Sequence, residues 1–200
     1  SNLFIGTGFN LVNIGEETHK GIEIDSLFFL SENFVLTFAA SYIDAIFDDF
    51  KNGPCDRTFV PPASDDCPIV NGGPARVKDF TGRTPSGVPE LAITVSGTYT
   101  FDLTENMTGY VRGEYIYEDA YQATDAVPVE VPNALRQVGT LNASLGVKDS
   151  ASGFSIMLWG RNINDDEYIY TGFNVPGSPG SYAGYPVVPK MWGLTLSRDF

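Results

Sequence analysis

The feature that most constrains this chain is a recurring alternation of apolar side chains with polar or small ones. In the segment 34–43, Phe34, Leu36 and Phe38 alternate with Thr37 and Ala39. Because successive side chains of a strand point to opposite faces of a sheet, such a segment predicts a strand with one apolar face. The same pattern predicts seven strands, at 21–30, 34–43, 91–101, 107–117, 140–147, 154–161 and 192–197. The chain is therefore predicted to be all-β.

The connections between these strands alternate between short and long. Short polar turns are predicted at 31–33, 104–106 and 150–153, and long loops at 51–88, 122–135 and 171–189. All short turns then lie at one end of an antiparallel, up-and-down sheet, and all long loops lie at the other. Transmembrane β-barrels have this pattern, with short periplasmic turns and long extracellular loops. Strands of about ten residues also match the apolar band of a bilayer.

Composition excludes several other classes. The formal net charge of −13 argues against a nucleic-acid partner, which needs clustered Lys and Arg. Glycine and proline, at 21 and 13 residues, are too frequent for a helical bundle. No uninterrupted apolar run is long enough for a transmembrane helix.

Aromatic residues lie near the ends of the predicted strands, on the apolar face. This placement is typical of the aromatic girdles at the two membrane interfaces of outer-membrane barrels. The residues are Tyr42, Tyr99, Phe101, Tyr115, Tyr117, Phe154 and Trp192.

The last strand alternates up to the terminal residue. Trp192, Leu194, Leu196 and Phe200 share one face. A terminal strand that ends in Phe with this alternation resembles the assembly signal read by the outer-membrane insertion machinery of bacteria.

Three further segments resemble one family. The first, 13–25, contains Asn13-Ile14-Gly15 followed by Lys20-Gly21-Ile22-Glu23. The second, 159–168, contains Asn162-Ile163-Asn164-Asp165 and Tyr168. The third, 189–200, begins with Pro189-Lys190-Met191-Trp192-Gly193. In this order and spacing they are similar to strands of TonB-dependent outer-membrane receptors. The resemblance extends from about residue 9 to residue 200.

The resemblance implies a 22-stranded barrel that is closed by an N-terminal plug and driven by the TonB complex of the inner membrane. Seven strands are about a third of such a barrel, and an odd number of up-and-down strands cannot close with wholly antiparallel pairing. An open sheet edge is not tolerated in hydrocarbon. Residues 1–200 are therefore expected to be the C-terminal barrel portion of a longer receptor that includes its own plug.

The same resemblance implies a location and partners. The expected location is the outer membrane of a Gram-negative bacterium, in contact with its lipid and lipopolysaccharide. The expected activity is uptake of a scarce small-molecule nutrient. Iron–siderophore complexes are the commonest cargo of the family, and oligosaccharides and cobalamin are the alternatives.

Two other readings remain open on the sequence. A passive porin or small closed outer-membrane barrel needs an eighth strand within 1–9, where Leu3-Phe4-Ile5 is short and followed by glycine. A soluble carbohydrate-binding β-sandwich needs a dry core between two sheets, and the unequal loops disfavour it.

Cys55 and Cys67 lie in the longest loop. Outside the cytosol such a pair is predicted to form a disulfide, which stabilises a loop of this size by about 3 kcal/mol in the chain-entropy model. The alternative is two free thiols.

Two sets of residues are candidates for contacts with the plug or the ligand. Polar residues that face the lumen are expected to contact the plug or solvent: Glu23, Arg112, Glu114, Lys148 and Arg161. Aromatic residues in the long loops are candidates for ligand contact, with packing against one another as the alternative: Phe59, Phe80, Tyr121, Phe173, Tyr182 and Tyr185.

No enzyme, cofactor or metal site is predicted. His19 is the single histidine and has no G-x-S-x-G partner motif, so no Ser–His arrangement is visible. The acidic runs at 44–49 and 165–167 lack the glycine-bearing loop of a Ca²⁺ hand and are read as solvated strand ends.

Overall fold

The computed structural model describes residues 2–5, 8–11, 15–54, 77–125, 127, 131, 133–175, 178 and 181–199. Every regular element in these ranges is a β-strand: β1 (Asn2–Ile5), β2 (Gly8–Leu11), β3 (Glu16–Ser31), β4 (Phe34–Asp49), β5 (Gly53–Pro54), β6 (Val77–Lys78), β7 (Leu91–Asp102), β8 (Met107–Gln122), β9 (Leu135–Asp149), β10 (Phe154–Arg161), β11 (Ile169–Asn174), β12 (Tyr182–Pro186) and β13 (Met191–Arg198). None of the described residues belongs to a helix long and apolar enough to cross a membrane.

Seven strands form the main sheet, in the spatial order β13-β10-β9-β8-β7-β4-β3, and all pairs are antiparallel. These are the seven strands predicted from the alternation, so the antiparallel up-and-down fold is confirmed. Several are longer than predicted, and β3, β4 and β8 each have 16 residues. Their ladders continue past the apolar alternation into polar pairs such as Lys20 with Asp44.

The register of the main sheet gives it two chemically different faces. Directly paired residues of one row, in the order β7 to β13, are Tyr99, Val111, Leu145, Leu158 and Leu194. The row one residue away, on the opposite side, is Thr98, Arg112, Ser144, Trp159 and Gly193. We call these sides the apolar face and the polar face.

The apolar face is uncovered in the described part of the chain. Leu145 and Leu158 have strands on both sides and are still 47% exposed. Along β4 this face runs from Phe34 to Tyr42, and the next residue on it is Asp44. The eight residue-to-residue steps from Phe34 to Tyr42 span about 26 Å, which is close to the height of about 25 Å of the apolar band of outer-membrane barrels.

The connections have the predicted arrangement. Short turns at 32–33, 103–106 and 150–153 join β3 to β4, β7 to β8 and β9 to β10. The long connections all leave the opposite end of the sheet, which we call the long-loop end. In the last short turn Gly153 has a φ of 74°, a conformation that only glycine adopts without cost.

The first eleven residues do not extend the main sheet. β1 and β2 pair with each other, as Asn2 with Leu11 and Ile5 with Gly8, in a two-stranded sheet of their own. The eighth strand that a small closed barrel needs is therefore absent from the described residues. Within those residues, β3 and β13 are the two open edges of the main sheet.

Short ladders occur inside two segments that were predicted as loops. β5 pairs with β6, and β11 pairs with β12 as a hairpin. Both are short and rich in glycine or proline, so they show little of the alternation that identifies the long strands.

Candidate functional site

A hydrogen-bonded cluster occupies the polar face of the central strands. The Arg112 guanidinium lies 2.9 Å from a carboxylate oxygen of Glu114, two residues further along β8. It also donates to the hydroxyl of Thr98 at 3.3 Å. The amide of Asn142 on β9 donates to the other Glu114 oxygen at 3.1 Å. Three neighbouring strands thus present one paired cation and anion to the space above the sheet.

Beside this cluster lies an aromatic side chain of β10 with its hydrogen-bond partner on β13. The indole N–H of Trp159 donates to the hydroxyl of Thr195 at 3.1 Å, and the Arg161 guanidinium lies 5.3 Å from the centre of the Trp159 ring. The two clusters line a cavity of about 470 Å³. The structure therefore brings together three of the predicted lumen-facing residues: Arg112, Glu114 and Arg161.

Glu23 and Lys148 lie elsewhere on the sheet. Glu23 is exposed on the edge strand β3, opposite Ser41. Lys148 lies near the short turns, where its ammonium group is 2.9 Å from a carboxylate oxygen of Asp199. The hydrogen bond from Lys148 lowers the pKa of Asp199 below its usual range.

At the long-loop end, three phenylalanines form a small core at the base of the first long loop. Phe47, Phe50 and Phe80 are each less than 10% exposed. The ring centre of Phe50 lies 4.9 Å from that of Phe47 and 5.5 Å from that of Phe80. Phe80 was a candidate for ligand contact, but its ring is buried here. In this structure Phe80 packs against another aromatic ring, which was the alternative to ligand contact.

We expect Phe50→Ala to loosen the base of the first long loop. Deleting a buried phenylalanine ring costs about 3–5 kcal/mol, and the strand segments that flank the loop depend on this ring. Proteolysis within 55–76 in the assembled protein should accelerate at least about tenfold, because local opening controls cleavage. Phe29→Ala, which removes a ring that is 74% exposed, is the control. Equal cleavage rates in wild type and Phe50→Ala would contradict the anchoring role.

A second cluster surrounds Arg136 at the start of β9. Its guanidinium lies 3.1 Å from a Glu118 oxygen, and both side chains are at most 21% exposed. It also stacks on three tyrosine rings, at 5.6 Å from Tyr121, 5.4 Å from Tyr168 and 4.9 Å from Tyr170. Arg136 thus joins β8, β9 and the hairpin β11–β12. Of these residues, Tyr121 was a candidate for ligand contact and Tyr168 belongs to the segment 159–168 that resembles the receptor family, whereas the sequence alone does not mark Arg136, Glu118 or Tyr170.

Tyr121 is a fixed neutral donor in this cluster. Its hydroxyl donates to Glu118 at 2.9 Å. The role of this hydroxyl is to hold the Glu118 carboxylate in place.

We expect Arg136→Met to destabilise this end of the sheet by about 1–3 kcal/mol, because it leaves the Glu118 carboxylate without its cation. Chemical denaturation of the full-length protein in vesicles measures the loss. Adding Glu118→Gln to Arg136→Met should restore part of it, since the orphaned charge is gone. Fully additive single and double variants would show that the ion pair makes no contribution.

The hairpin β11–β12 carries three predicted ligand-contact residues. The rings of Phe173 and Tyr185 lie on one side, with centres 5.7 Å apart, and are 39% and 61% exposed. Tyr182 instead lines a cavity of about 170 Å³ between the hairpin and the second long loop. Val127, 6% exposed, packs against Gly172 in a space that a β-carbon there would fill.

The segment after β10 extends the sheet with side chains. The Asn164 amide accepts from the Leu141 N–H at 2.9 Å and donates to the Gly139 carbonyl at 2.6 Å. A carboxylate oxygen of Asp166 accepts from the Gly139 N–H at 2.6 Å. Because β10 ends at Arg161, these groups satisfy the edge of β9 that β10 no longer covers.

Asn162 holds this segment in place. It is 3% exposed, and its φ is 49°. Its side-chain amide donates to the carbonyls of Asp166 and Val188 at 2.8 and 3.2 Å and accepts from the Asp166 N–H at 2.7 Å. Its own N–H donates to the side chain of Asn142 at 3.0 Å. Asn162 therefore ties β9, the turn and the segment that precedes β13 together.

The remaining candidates have the following positions. Trp192, Leu194 and Leu196 lie on the exposed apolar face of β13, at 59%, 61% and 71% exposure. Cys55, Cys67, Phe59 and Phe200 lie outside the described residues, so the disulfide stays a prediction. Among the described residues, no group of three or more His, Cys, Asp or Glu has the geometry of a metal site.

Comparison with known proteins gives one structural relative. No protein-family model and no curated protein matches the chain. Its fold is similar to the crystal structure of the siderophore receptor PiuA from Acinetobacter baumannii, with a TM-score of 0.54 over 90% of this chain at 11% sequence identity. The chain covers 21% of that receptor's chain. At this identity the likeness shows the fold alone. The chain has the fold of a segment of a β-barrel.

Proposed function

We propose that this chain is the C-terminal barrel portion of a TonB-dependent outer-membrane receptor that imports a scarce nutrient. One observation carries the proposal. On the apolar face of the main sheet, the strands carry no charged residue between the row of paired residues that contains Phe34 and the row that contains Tyr42. The polar face holds the ion-paired cluster of Arg112 and Glu114. A sheet with lipid on one side and a water-filled or plugged lumen on the other needs these two faces.

The cargo that we propose is an iron–siderophore complex. The resemblance of the three sequence segments to TonB-dependent receptors supports it, and so does the fold of the siderophore receptor that the chain matches. We propose no catalytic step and no bound cofactor, because import by such a receptor makes and breaks no covalent bond in the cargo.

The residues divide into three proposed roles. The cluster of Arg112, Glu114 and Arg161 contacts the plug, which belongs to the remaining part of the receptor. The long-loop end contacts the ligand, and the plug communicates with the TonB complex. The alternation at Trp192, Leu194 and Leu196 directs insertion into the outer membrane, in contact with lipid and lipopolysaccharide.

Membrane fractionation of the cells that make this chain tests the proposal. The native polypeptide should occur in the outer membrane and should migrate at about 70–100 kDa only after heating in detergent, as large barrels do. A heat-modifiable band near 21.7 kDa would indicate a small barrel instead. A detergent-independent soluble protein would indicate a sandwich domain. Loss of uptake on deletion of TonB, with ligand binding retained, tests the energy coupling.

A further inference from the structure

The hairpin β11–β12 differs in charge from the rest of the long-loop end. The segment 171–189, which contains nearly all of it, has no charged residue, although the whole chain has a net charge of −13. The exposed rings of Phe173 and Tyr185 are thus set in a surface of glycine, alanine and threonine backbone and side chains. Such a surface attracts apolar organic groups and gives no electrostatic attraction to an anion.

Among the residues that the structure describes, two cations next to the hairpin are already paired. Arg136, which stacks on Tyr170 of the hairpin, is bound to Glu118 at 3.1 Å. Lys190, which follows the hairpin, lies 3.7 Å from Asp165. An anionic ligand at Phe173 and Tyr185 would have to compete with these carboxylates.

The surroundings are acidic. β4 ends in Asp44, Asp48 and Asp49 at this end of the sheet, where Asp49 is paired with Lys51 at 3.2 Å, and Asp119 and Glu167 lie in the neighbouring segments. A surface with a net negative charge lowers the local concentration and the association rate of anionic ligands. A highly charged anionic ligand is therefore disfavoured both at the hairpin and on its approach.

We propose that Phe173 and Tyr185 form a contact site for an electrically neutral ferric chelate, whose organic surface packs against the two rings. This inference rests on the proposed function and narrows its ligand. A ferric tris-hydroxamate is neutral, because the charges of the iron and the three hydroxamates cancel. A ferric tris-catecholate is a trianion. The receptor selects the first over the second.

The hairpin is held rigidly enough to serve as a binding platform. Gly172 lets Val127 pack beneath it, and Tyr170 stacks on Arg136 on the sheet side. A ligand that binds to two rings held in this way loses less free energy to the ordering of side chains.

Binding to the full-length receptor in outer-membrane vesicles tests the inference. The probes are ferrichrome as the neutral hydroxamate, ferric enterobactin as the trianionic catecholate and maltohexaose as a neutral sugar. We expect ferrichrome to bind most tightly, with a Kd that changes little with salt. The double variant Phe173→Ala with Tyr185→Ala should raise that Kd at least about tenfold.

Two control variants define the contact. Tyr185→Phe keeps the ring and should bind as wild type does. Val188→Ala, which shortens another side chain of the same segment that is 55% exposed, should also leave the Kd unchanged. Heat-modifiability of every variant confirms that its barrel is assembled.

Each of the following four results would overturn the inference. Preferred binding of enterobactin, with TonB-dependent uptake, would refute the neutral ligand and leave the proposed receptor function intact. An unchanged ferrichrome Kd in the double variant would refute the contact site. Binding of maltohexaose alone would refute the ferric cargo as well. Absence of binding by ferrichrome would also refute the inference, because this probe represents the ligand class that it names.

Discussion

An arginine in place of Val95 should strongly destabilise the protein or prevent its assembly, whereas an arginine at the neighbouring Thr94 should be tolerated. Val95 lies on the apolar face of β7, between Phe38 and Tyr115. A charged side chain near the middle of the bilayer costs about 2–4 kcal/mol on the lipid face of a barrel. Thr94 lies on the polar face, where an arginine stays in a polar lumen and should change stability by less than about 1 kcal/mol.

Denaturant unfolding of the full-length protein in lipid vesicles, together with the amount of folded protein in the outer membrane, measures both variants. They share a strand, a depth and a new side chain, so their difference reports only the face. Equal effects of Val95→Arg and Thr94→Arg would mean that the two faces have the same environment, and the lipid-exposed face would have to be abandoned.

Replacement of Asn162 by alanine should cost about 3–5 kcal/mol. The variant removes the side-chain partner of the Asp166 N–H and of the Asp166 and Val188 carbonyls, and each of these three part-buried hydrogen bonds contributes about 1 kcal/mol. Alanine also tolerates a φ of 49° less well than asparagine, whose short polar side chain stabilises this conformation by local hydrogen bonds, and this adds about 1 kcal/mol. Denaturant unfolding should show the loss, and hydrogen exchange should show that Gly139 and Leu141 lose protection.

Asn162→Gly separates the two causes. It removes the same hydrogen bonds but accepts the positive φ, so it should be less destabilising than Asn162→Ala by about 1 kcal/mol. Asn106→Ala, in an exposed short turn, is the control for loss of an asparagine. If Asn162→Ala were no more harmful than Asn106→Ala, the buried amide would not tie the strands together.

The long strands were predictable because their signal is local. A strand such as β7 has one environment on each side, and the alternation of Ile93 and Val95 with Thr94 and Ser96 records it directly. The unequal connections then fixed the antiparallel order without any long-range information. The extension of β3 and β4 toward the long-loop end was missed, because polar pairs such as Lys20 with Asp44 have no apolar face to detect.

The contacts at the long-loop end were predicted less well, because they join distant segments. The contacts of Arg136 exist only in the folded protein, where β8, β9 and the hairpin β11–β12 meet around this side chain. Phe80 was known as a loop aromatic, but its burial depends on the return of the chain beside Phe47. For Asp166, the acidic run 165–167 suggested a solvated strand end.

Asp166 in fact binds the backbone of Gly139, and the reason is a difference in strand length. β9 extends further toward the long-loop end than β10 does, so the end of β9 needs a partner. A single sequence does not show where two neighbouring strands stop relative to each other. The motif that includes Asn162 and Asn164 resembles a motif of the receptor family. The side-chain hydrogen bonds of these two residues explain why asparagine occurs at both positions.

Spin-label accessibility along β7 tests the membrane-spanning sheet most directly. Single cysteines introduced at positions 92–99 of the full-length protein in lipid vesicles would carry a nitroxide. Collisions of the nitroxide with oxygen, which concentrates in lipid, would be compared with its collisions with a water-soluble nickel complex. We expect oxygen collisions to peak at Ile93, Val95, Gly97 and Tyr99 and to fall at the intervening positions. Low oxygen collision rates on the apolar face, or collision rates that do not alternate from one residue to the next, would contradict the account.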